Sequence, residues 1–280
     1  MKRFVYINGR VVSEDKAAVS VFDYGLLYGI GVFETMRAYD GRVFKLEEHM
    51  KRLKGAASAA GIHAEVGGIP QAIHAVLAKN RLSNAYVRVT LTYGVGKPRL
   101  MLDGKTPTVI VFAGELPKGI KEKQRNGMTA GFSTVVHYSK SPLARIKSTN
   151  YLQTALRKQE AKEWRLDDVI VVNEKNRVVE ASTSNVFMVD GSGTLITPPL
   201  KDGCLPGITR KTVLEIAKKN GVKILEGAIA KRGLLKAREV FMTNSIMEVV
   251  PVVKIERTAF KAGSITRMLQ RKYRTVTQKL

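Results

Sequence analysis

Apolar and polar residues alternate in the opening segment FVYINGRVV, on either side of Asn8-Gly9. Both turn positions tolerate positive φ, so Met1 to Val12 is expected to form a tight antiparallel hairpin and not a signal peptide. Helical spacing follows over Leu46 to Ala60, closed by Gly61, and again over Ile69 to Leu77. AYVRVTLTYG and TVIVFAG have the β-branched density of strands, which makes the first half α+β. Periodicity then stops at LPKGIKEKQRNG, where Pro, Gly and charge gather as in an exposed connection. A chain of 280 residues accommodates two modest domains, and this segment divides it into 1–115, a connection over 116–127, and 128–280.

Beyond the connection, MTAGFSTVV reads as a strand and Thr149 to Trp164 as a helix, with Leu152, Ala155, Leu156 and Gln159 as its inner stripe. DVIVV, RVVEA, NVFMV and TLITP follow as strands joined by short Asn, Gly and Ser turns. Pro206 and Gly207 interrupt the chain before a helix over Arg210 to Lys219, and KILEG supplies another strand. REVFMTNSIMEVVPVV gives the final strands and Ser264 to Thr277 a closing helix.

Composition excludes several classes. Hydrophobic residues at 44% and charged residues at 25% describe a folded globular protein without disordered tracts. No apolar run approaches the roughly 20 residues that cross a bilayer, so a cytoplasmic protein is expected. The single cysteine, Cys204, forbids an internal disulfide and is expected to be a packing residue. Basic residues number 47 against 24 acidic, a net charge of +23 that could attract nucleic acid or an anionic membrane. They are spread through mixed-sign stretches such as KLEEHMKRLK, however, without an arginine-rich tail. A solvated basic surface that favours small anionic substrates is the preferred reading, with neither nucleic acid nor membrane as partner.

The common short catalytic motifs are absent: no phosphate loop, no G-x-G-x-x-G after a strand, no G-x-S-x-G and no H-E-x-x-H. His49, His63, His74 and His137 lie far apart, and no metal site is expected. What remains is a dispersed constellation of YGIGVFETMRAYDG, EEHMKRL, YVR, IKSTNYL, VVEASTSNVF, LPGITR and FMTNS. In this order and spacing the segments resemble the class IV aminotransferases, the fold-type IV pyridoxal phosphate enzymes. That family includes branched-chain aminotransferases, D-amino acid aminotransferases and aminodeoxychorismate lyases. The likeness spans about Asn8 to Val253. It implies a two-domain α+β fold like that of the D-amino acid aminotransferases, with an N-terminal α+β domain and a C-terminal mixed β domain flanked by helices. It also implies a homodimer with pyridoxal 5'-phosphate between the domains.

By the same resemblance Lys147 of IKSTNYL is the Schiff-base lysine, a role that needs an amine partly withdrawn from water. Glu180 matches the carboxylate beside the cofactor ring nitrogen, where it keeps that nitrogen protonated. Tyr151 matches the tyrosine at the ring hydroxyl. Ile208 and Thr209, at a helix start after Gly207, would donate amides to the phosphate. Arg52 would supply the cation and Ser245 a further hydrogen bond.

The substrate pocket implied by the resemblance is walled by Tyr28 and Phe33 and by Tyr86 and Arg88 of YVR. Arg88 would pair with the distal carboxylate of glutamate or 2-oxoglutarate, and Tyr28 and Phe33 would accept a branched side chain. TPPLKDGCLPGITR is also closest to the branched-chain group. FETMR and TNSIM are closer to the D-amino acid or lyase branches, and Glu180-Ala181 replaces the family's usual Glu-Gly. Arg99 matches a carboxylate-binding arginine of the D-amino acid enzymes, but Met101 stands where their histidine is expected. Transamination of branched-chain L-amino acids with 2-oxoglutarate is thus the leading expectation. A D-amino acid aminotransferase and an aminodeoxychorismate lyase remain the alternatives.

Overall fold

The computed structural model describes residues 3–103 and 106–279, so Met1 and Lys2 of the expected hairpin segment lie outside the described residues. The chain forms two compact units, one running up to Leu116 and including Ile146–Asn150, the other containing Pro117–Arg145 and Tyr151–Lys279.

The first unit contains β1 (Phe4–Ile7), β2 (Arg10–Ser13), α1 (Tyr24–Leu27), β3 (Gly31–Tyr39), β4 (Arg42–Val43), α2 (Leu46–Ala59), α3 (Ile69–Lys79), β5 (Ala85–Thr92) and β6 (Val109–Glu115). Asn8 and Gly9 take φ of 45° and 91°, the paired positive values that let a two-residue turn follow the strand twist. The sheet order is β2-β1-β6-β5-β3-β4, with every pairing antiparallel. Alternation sorts its faces. Val32, Met36 and Ala38 of β3 and Val87, Val89 and Leu91 of β5 pack with Leu53, Ala57, Ile73 and Val76 of the two long helices. Phe33, Tyr86 and Arg88, at the intervening positions, therefore share the other face.

The second unit contains α4 (Ile120–Asn126), β7 (Met128–Phe132), α5 (Leu152–Glu163), β8 (Asp168–Val172), β9 (Arg177–Ala181), β10 (Asn185–Val189), β11 (Leu195–Thr197), α6 (Ile208–Lys219), β12 (Ile224–Glu226), β13 (Ile229–Ala230), α7 (Lys231–Leu235), β14 (Glu239–Asn244), β15 (Glu248–Ile255), β16 (Thr258–Ala259) and α8 (Ser264–Thr277). Its mixed sheet runs β12-β11-β10-β14-β15-β7-β8-β9-β13, with β16 added to β15. The β7–β8, β7–β15 and β11–β12 pairs are parallel. Every residue of β8 and β10 is buried, so both strands are covered on both faces and read as continuous apolar runs.

Five expectations differ from the structure. The segment 116–127 is largely exposed but is not irregular: it holds α4, which buries Ile120 and Gln124 one turn apart between left-handed Gly119 and Gly127 at φ 87°. Periodicity missed it because a helix of two turns offers too few repeats. Lys147 does not group with the rest of 128–280, since Ile146–Asn150 belong to the first unit. For the same reason α5 starts at Leu152 and not Thr149. Its inner face is also different: Leu152 and Leu156 are 73% and 43% exposed, while Arg157 and Ala161 are buried. The helix expected from Arg210 begins at Ile208.

Gly9→Ala is expected to cost about 1 kcal/mol in urea unfolding, from positive φ alone, because nothing lies within 4 Å of its added methyl. Gly94→Ala is expected to cost more, because its φ is 89° and the methyl would fall 1.9 Å from the Thr106 carbonyl oxygen. Equal costs would contradict this packing.

Candidate active site

Strand β3 places one charged residue among its helix-facing apolar positions. Glu34 shares their register and is fully buried. Residues three apart on a helix face the same way, and α2 aims both His49 and Arg52 at it. Arg52 Nε and Nη2 donate to Glu34 Oε1 and Oε2 at 2.6 and 2.8 Å, a bidentate pair. His49 Nδ1 lies 2.7 Å from Oε2. Burial pushes the Glu34 carboxyl up, but the Arg52 charge and the hydrogen bonds from Arg52 and His49 outweigh it and hold it at about 2. Burial keeps the His49 imidazole below its ordinary range, against the pull of Glu34. With Glu34 ionised, the His49 Nδ1 that faces Oε2 is the donating nitrogen. Arg52, expected as the phosphate cation, is thus set on a buried carboxylate. Neither Glu34 nor His49 stood out in the sequence; the one available signal is the carboxylate of FETMR at a core-facing position.

The opposite face of the same sheet carries the candidates Phe33, Tyr86 and Arg88. The Arg88 guanidinium lies 3.7 Å from the centre of the Phe33 ring, and Lys147 Nζ lies 4.5 Å from it. Phe33 is 2% exposed. Tyr86 stands on the same face, 6.0 Å from Phe112 between ring centres. The half-buried lysine is held there by its backbone: Phe33 N donates to Lys147 O, and Thr149 N to Gly31 O, both at 2.8 Å. Thr149 Oγ1 and Asn150 Nδ2 also donate to Gly29 O. A methyl on Gly31 would come within 2.8 Å of Thr149 Oγ1 and 3.0 Å of Leu91 O, so glycine admits this close approach. Tyr28 is half-buried, edge-on to Tyr24. The Tyr24 hydroxyl donates to Arg99 O at 2.6 Å and fixes that loop, while the Arg99 side chain is exposed.

The second unit carries its own set. Glu180 Oε2 accepts from Leu205 N at 3.1 Å and Asn185 Nδ2 at 3.4 Å. Gly207 caps α6, and a methyl there would fall 1.9 Å from Asn185 Oδ1, so the turn before the helix is drawn close to β10. Ile208 and Thr209 are the first residues of α6, where amides have no intrahelical acceptor. Ser245 lies half-buried in the turn after β14, which Asn244 Oδ1 closes by accepting from Ile246 N and Met247 N. Tyr151 is the N-cap of α5. Asn185 did not stand out in the sequence either. The Cys204 thiol is buried, and burial with the nearby Glu180 charge pushes it up to about 12, which leaves it unsuited to nucleophilic work.

Within the second unit, helix-start amides and a carboxylate that accepts from two donors are the kinds of group that suit a phosphorylated cofactor with a basic ring nitrogen. Among the described residues there is no group of three or more His, Cys, Asp or Glu side chains able to hold a metal ion. No helix there is long and apolar enough to cross a membrane.

The family model for amino-transferase class IV matches residues 31–255. A protein of Methanocaldococcus jannaschii, provisionally named a branched-chain-amino-acid aminotransferase, is 36% identical over 98% of this chain and 96% of its own. The aminodeoxychorismate lyase of Bacillus subtilis is 33% identical, covering 96% of this chain and 93% of its own. The branched-chain aminotransferase of Thermoproteus uzoniensis, solved with norvaline, superposes with a TM-score of 0.92 at 31% identity, over 100% of this chain and 96% of that one.

The buried Glu34 pair has a defined pH signature. Its folded value of about 2 lies below the ordinary 4.5, so its stabilisation is complete above the ordinary value and is lost as pH falls toward 2. Glu34→Gln is expected to destabilise the protein at pH 7 by on the order of 3 kcal/mol. In urea unfolding the gap between the two proteins should close between pH 4.5 and 2. A gap that does not change with pH would contradict the assignment.

Proposed function

The chain belongs to the class IV amino-transferase family, and from that premise we propose that it moves amino groups between branched-chain L-amino acids and 2-oxoglutarate with pyridoxal 5'-phosphate on Lys147. The observation that carries this reading is the placement of both the Lys147 amine and the Arg88 guanidinium beside the Phe33 ring, at 4.5 and 3.7 Å from its centre. Such a place offers a reacting amine and a carboxylate-binding fork beside an apolar surface.

In the proposed scheme Arg52, the amides of Ile208 and Thr209, and Ser245 hold the phosphate. Tyr151 donates to the ring hydroxyl, and Glu180 keeps the ring nitrogen protonated. When bound, the cofactor supplies an electron sink for the negative charge left at the substrate α-carbon. Lys147 Nζ takes the α-proton as general base and delivers it back as general acid. Arg88 pairs with the distal carboxylate of glutamate or 2-oxoglutarate, whereas Tyr28, Phe33 and Tyr86 receive an aliphatic side chain. Arg99, on the loop anchored by Tyr24, is kept for the substrate carboxylate in the D-amino acid alternative.

We also propose a cytoplasmic homodimer that acts on small molecules, with its charge of +23 a solvated surface and not a nucleic-acid site. The exposed Leu152, Leu156 and Leu26 are apolar surface that a second copy would cover.

A panel of L-leucine, D-alanine and aminodeoxychorismate, each with 2-oxoglutarate where needed, tests the substrate. L-leucine is expected to turn over with ping-pong kinetics. Lys147→Ala is expected to lower kcat by roughly a thousandfold or more. Arg88→Ala should raise KM for 2-oxoglutarate far more than for L-leucine. Turnover confined to D-alanine or aminodeoxychorismate would overturn the pocket assignment, and an active Lys147→Ala would overturn the lysine assignment.

A further inference from the structure

Helix α4 lies in a segment whose composition suggests a connection, yet it buries a side-chain amide with both of its polar atoms engaged. Gln124 is 5% exposed. Its Nε2 donates to Met247 O at 2.8 Å and to Glu248 Oε2 at 3.0 Å, and its Oε1 accepts from Arg274 Nη2 of α8 at 3.0 Å. Its main-chain oxygen accepts from Gln270 Nε2 at 2.8 Å and from Arg267 Nη1 at 3.1 Å. Gln270, itself buried, also donates to Val249 O at 3.0 Å. Only one orientation of the Gln124 amide serves these partners. A flip would set its oxygen against the Met247 carbonyl and the Glu248 carboxylate, and its NH2 against a guanidinium. The network thus joins α4, α8 and the start of β15 in one geometry.

What this network grips is the turn between β14 and β15, which carries Ser245. Asn244 closes that turn from within, its Oδ1 accepting from Ile246 N at 3.0 Å and from Met247 N at 2.7 Å. Side chains on either side then fix the closed turn to the rest of the unit. On one side Asn244 Nδ2 donates to Ser184 Oγ at 2.9 Å. On the other, Gln124 holds Met247 by its carbonyl and Glu248 by its carboxylate. Glu248 has a φ of 62°, a left-handed value that a residue with a Cβ keeps only where its surroundings over-determine it. Ser245 stands two residues from Met247, so a shift in the second half of so short a turn is passed to its hydroxyl.

We propose that Gln124 is a positioning residue for the anion site of the second unit, which from α4 sets the β14–β15 turn so that Ser245 is presented to the cofactor phosphate. The proposal rests on the phosphate reading of Ser245 given above. Gln124 acts through the turn and not on the phosphate itself. A displacement of about 1 Å takes a hydrogen bond out of range, so loss of Gln124 falls on the phosphate end of the ligand and spares the ring end.

The test compares two ligands that differ only by the phosphate, pyridoxamine 5'-phosphate and pyridoxamine, in equilibrium dialysis against the cofactor-free full chain. Neither has an aldehyde, so no bond to lysine enters the comparison. In Gln124→Leu the Kd for pyridoxamine 5'-phosphate should rise about tenfold, while that for pyridoxamine stays within about twofold. Ser245→Ala should show the same selective loss, and the double variant no more than the larger single loss, because both changes act on one hydrogen bond. Equal weakening of both ligands in Gln124→Leu, or a lower urea midpoint with both Kd values unchanged, makes Gln124 a packing residue and overturns the proposal. A Ser245→Ala protein that keeps its full preference for the phosphorylated ligand overturns the reading of Ser245, whatever Gln124→Leu does. If Gln124→Leu does not fold, hydrogen exchange in the wild type decides. Saturating inorganic phosphate should slow exchange in 120–126 as well as in 244–248, and absence of protection in 120–126 overturns the proposal.

Discussion

The chemistry of the first unit depends on a short stretch of backbone pairing. Lys147 O accepts from Phe33 N and Thr149 N donates to Gly31 O, so that residues 147–149 lie along β3 as an added strand segment. An amine at the tip of a flexible side chain is thereby anchored at its root by two main-chain hydrogen bonds, on the face that carries Phe33 and Arg88. Sites built on strands hold geometry better than sites on loops. Gly31 makes the approach sterically feasible, and the hydrogen bonds to Gly29 O extend the attachment beyond the lysine.

The same strand solves a second problem on its other face. Glu34 occupies an apolar register, and a carboxylate buried there would be prohibitive without compensation. Arg52 and His49 supply it from one face of α2. The result ties α2 to β3 by a directional, charged contact and presets the orientation of Arg52. Buried ion pairs of this kind are weak evidence of net stability but good evidence of fixed geometry, because removal of one partner leaves the other charge stranded. Arg157 in the second unit shows the contrasting case, a buried cation without a carboxylate in direct contact among the described residues.

Where pattern and period were strong, the fold was legible from the residues. Asn8-Gly9 specifies its turn through two positive φ values, and Leu46 to Ala60, Ile69 to Leu77 and Ser264 to Thr277 are long enough for a 3.6-residue period to emerge. The failures have physical causes. Two-turn α4 lies below that length, and its Pro, Gly and charge belong to its caps and solvent face. On α5 the leucines suggested one face, but the inward face is built from Arg157 and Ala161. The candidate residues came from a resemblance spread over separate segments, which supplies identities and not partners. Glu34, His49, Asn185 and Gln124 act through tertiary contacts, and no local spacing announces a contact between β3 and α2 or between β10 and the turn before α6.

The central claim is that Lys147, among all the lysines of a strongly basic chain, is the amine that captures the cofactor aldehyde. Reduction of the pyridoxal phosphate-loaded protein with borohydride, followed by proteolysis and tandem mass spectrometry, locates the captured amine directly. The account predicts a single stoichiometric pyridoxyl adduct on Lys147. An adduct on another lysine, or scattered substoichiometric labelling across the basic surface, would contradict it.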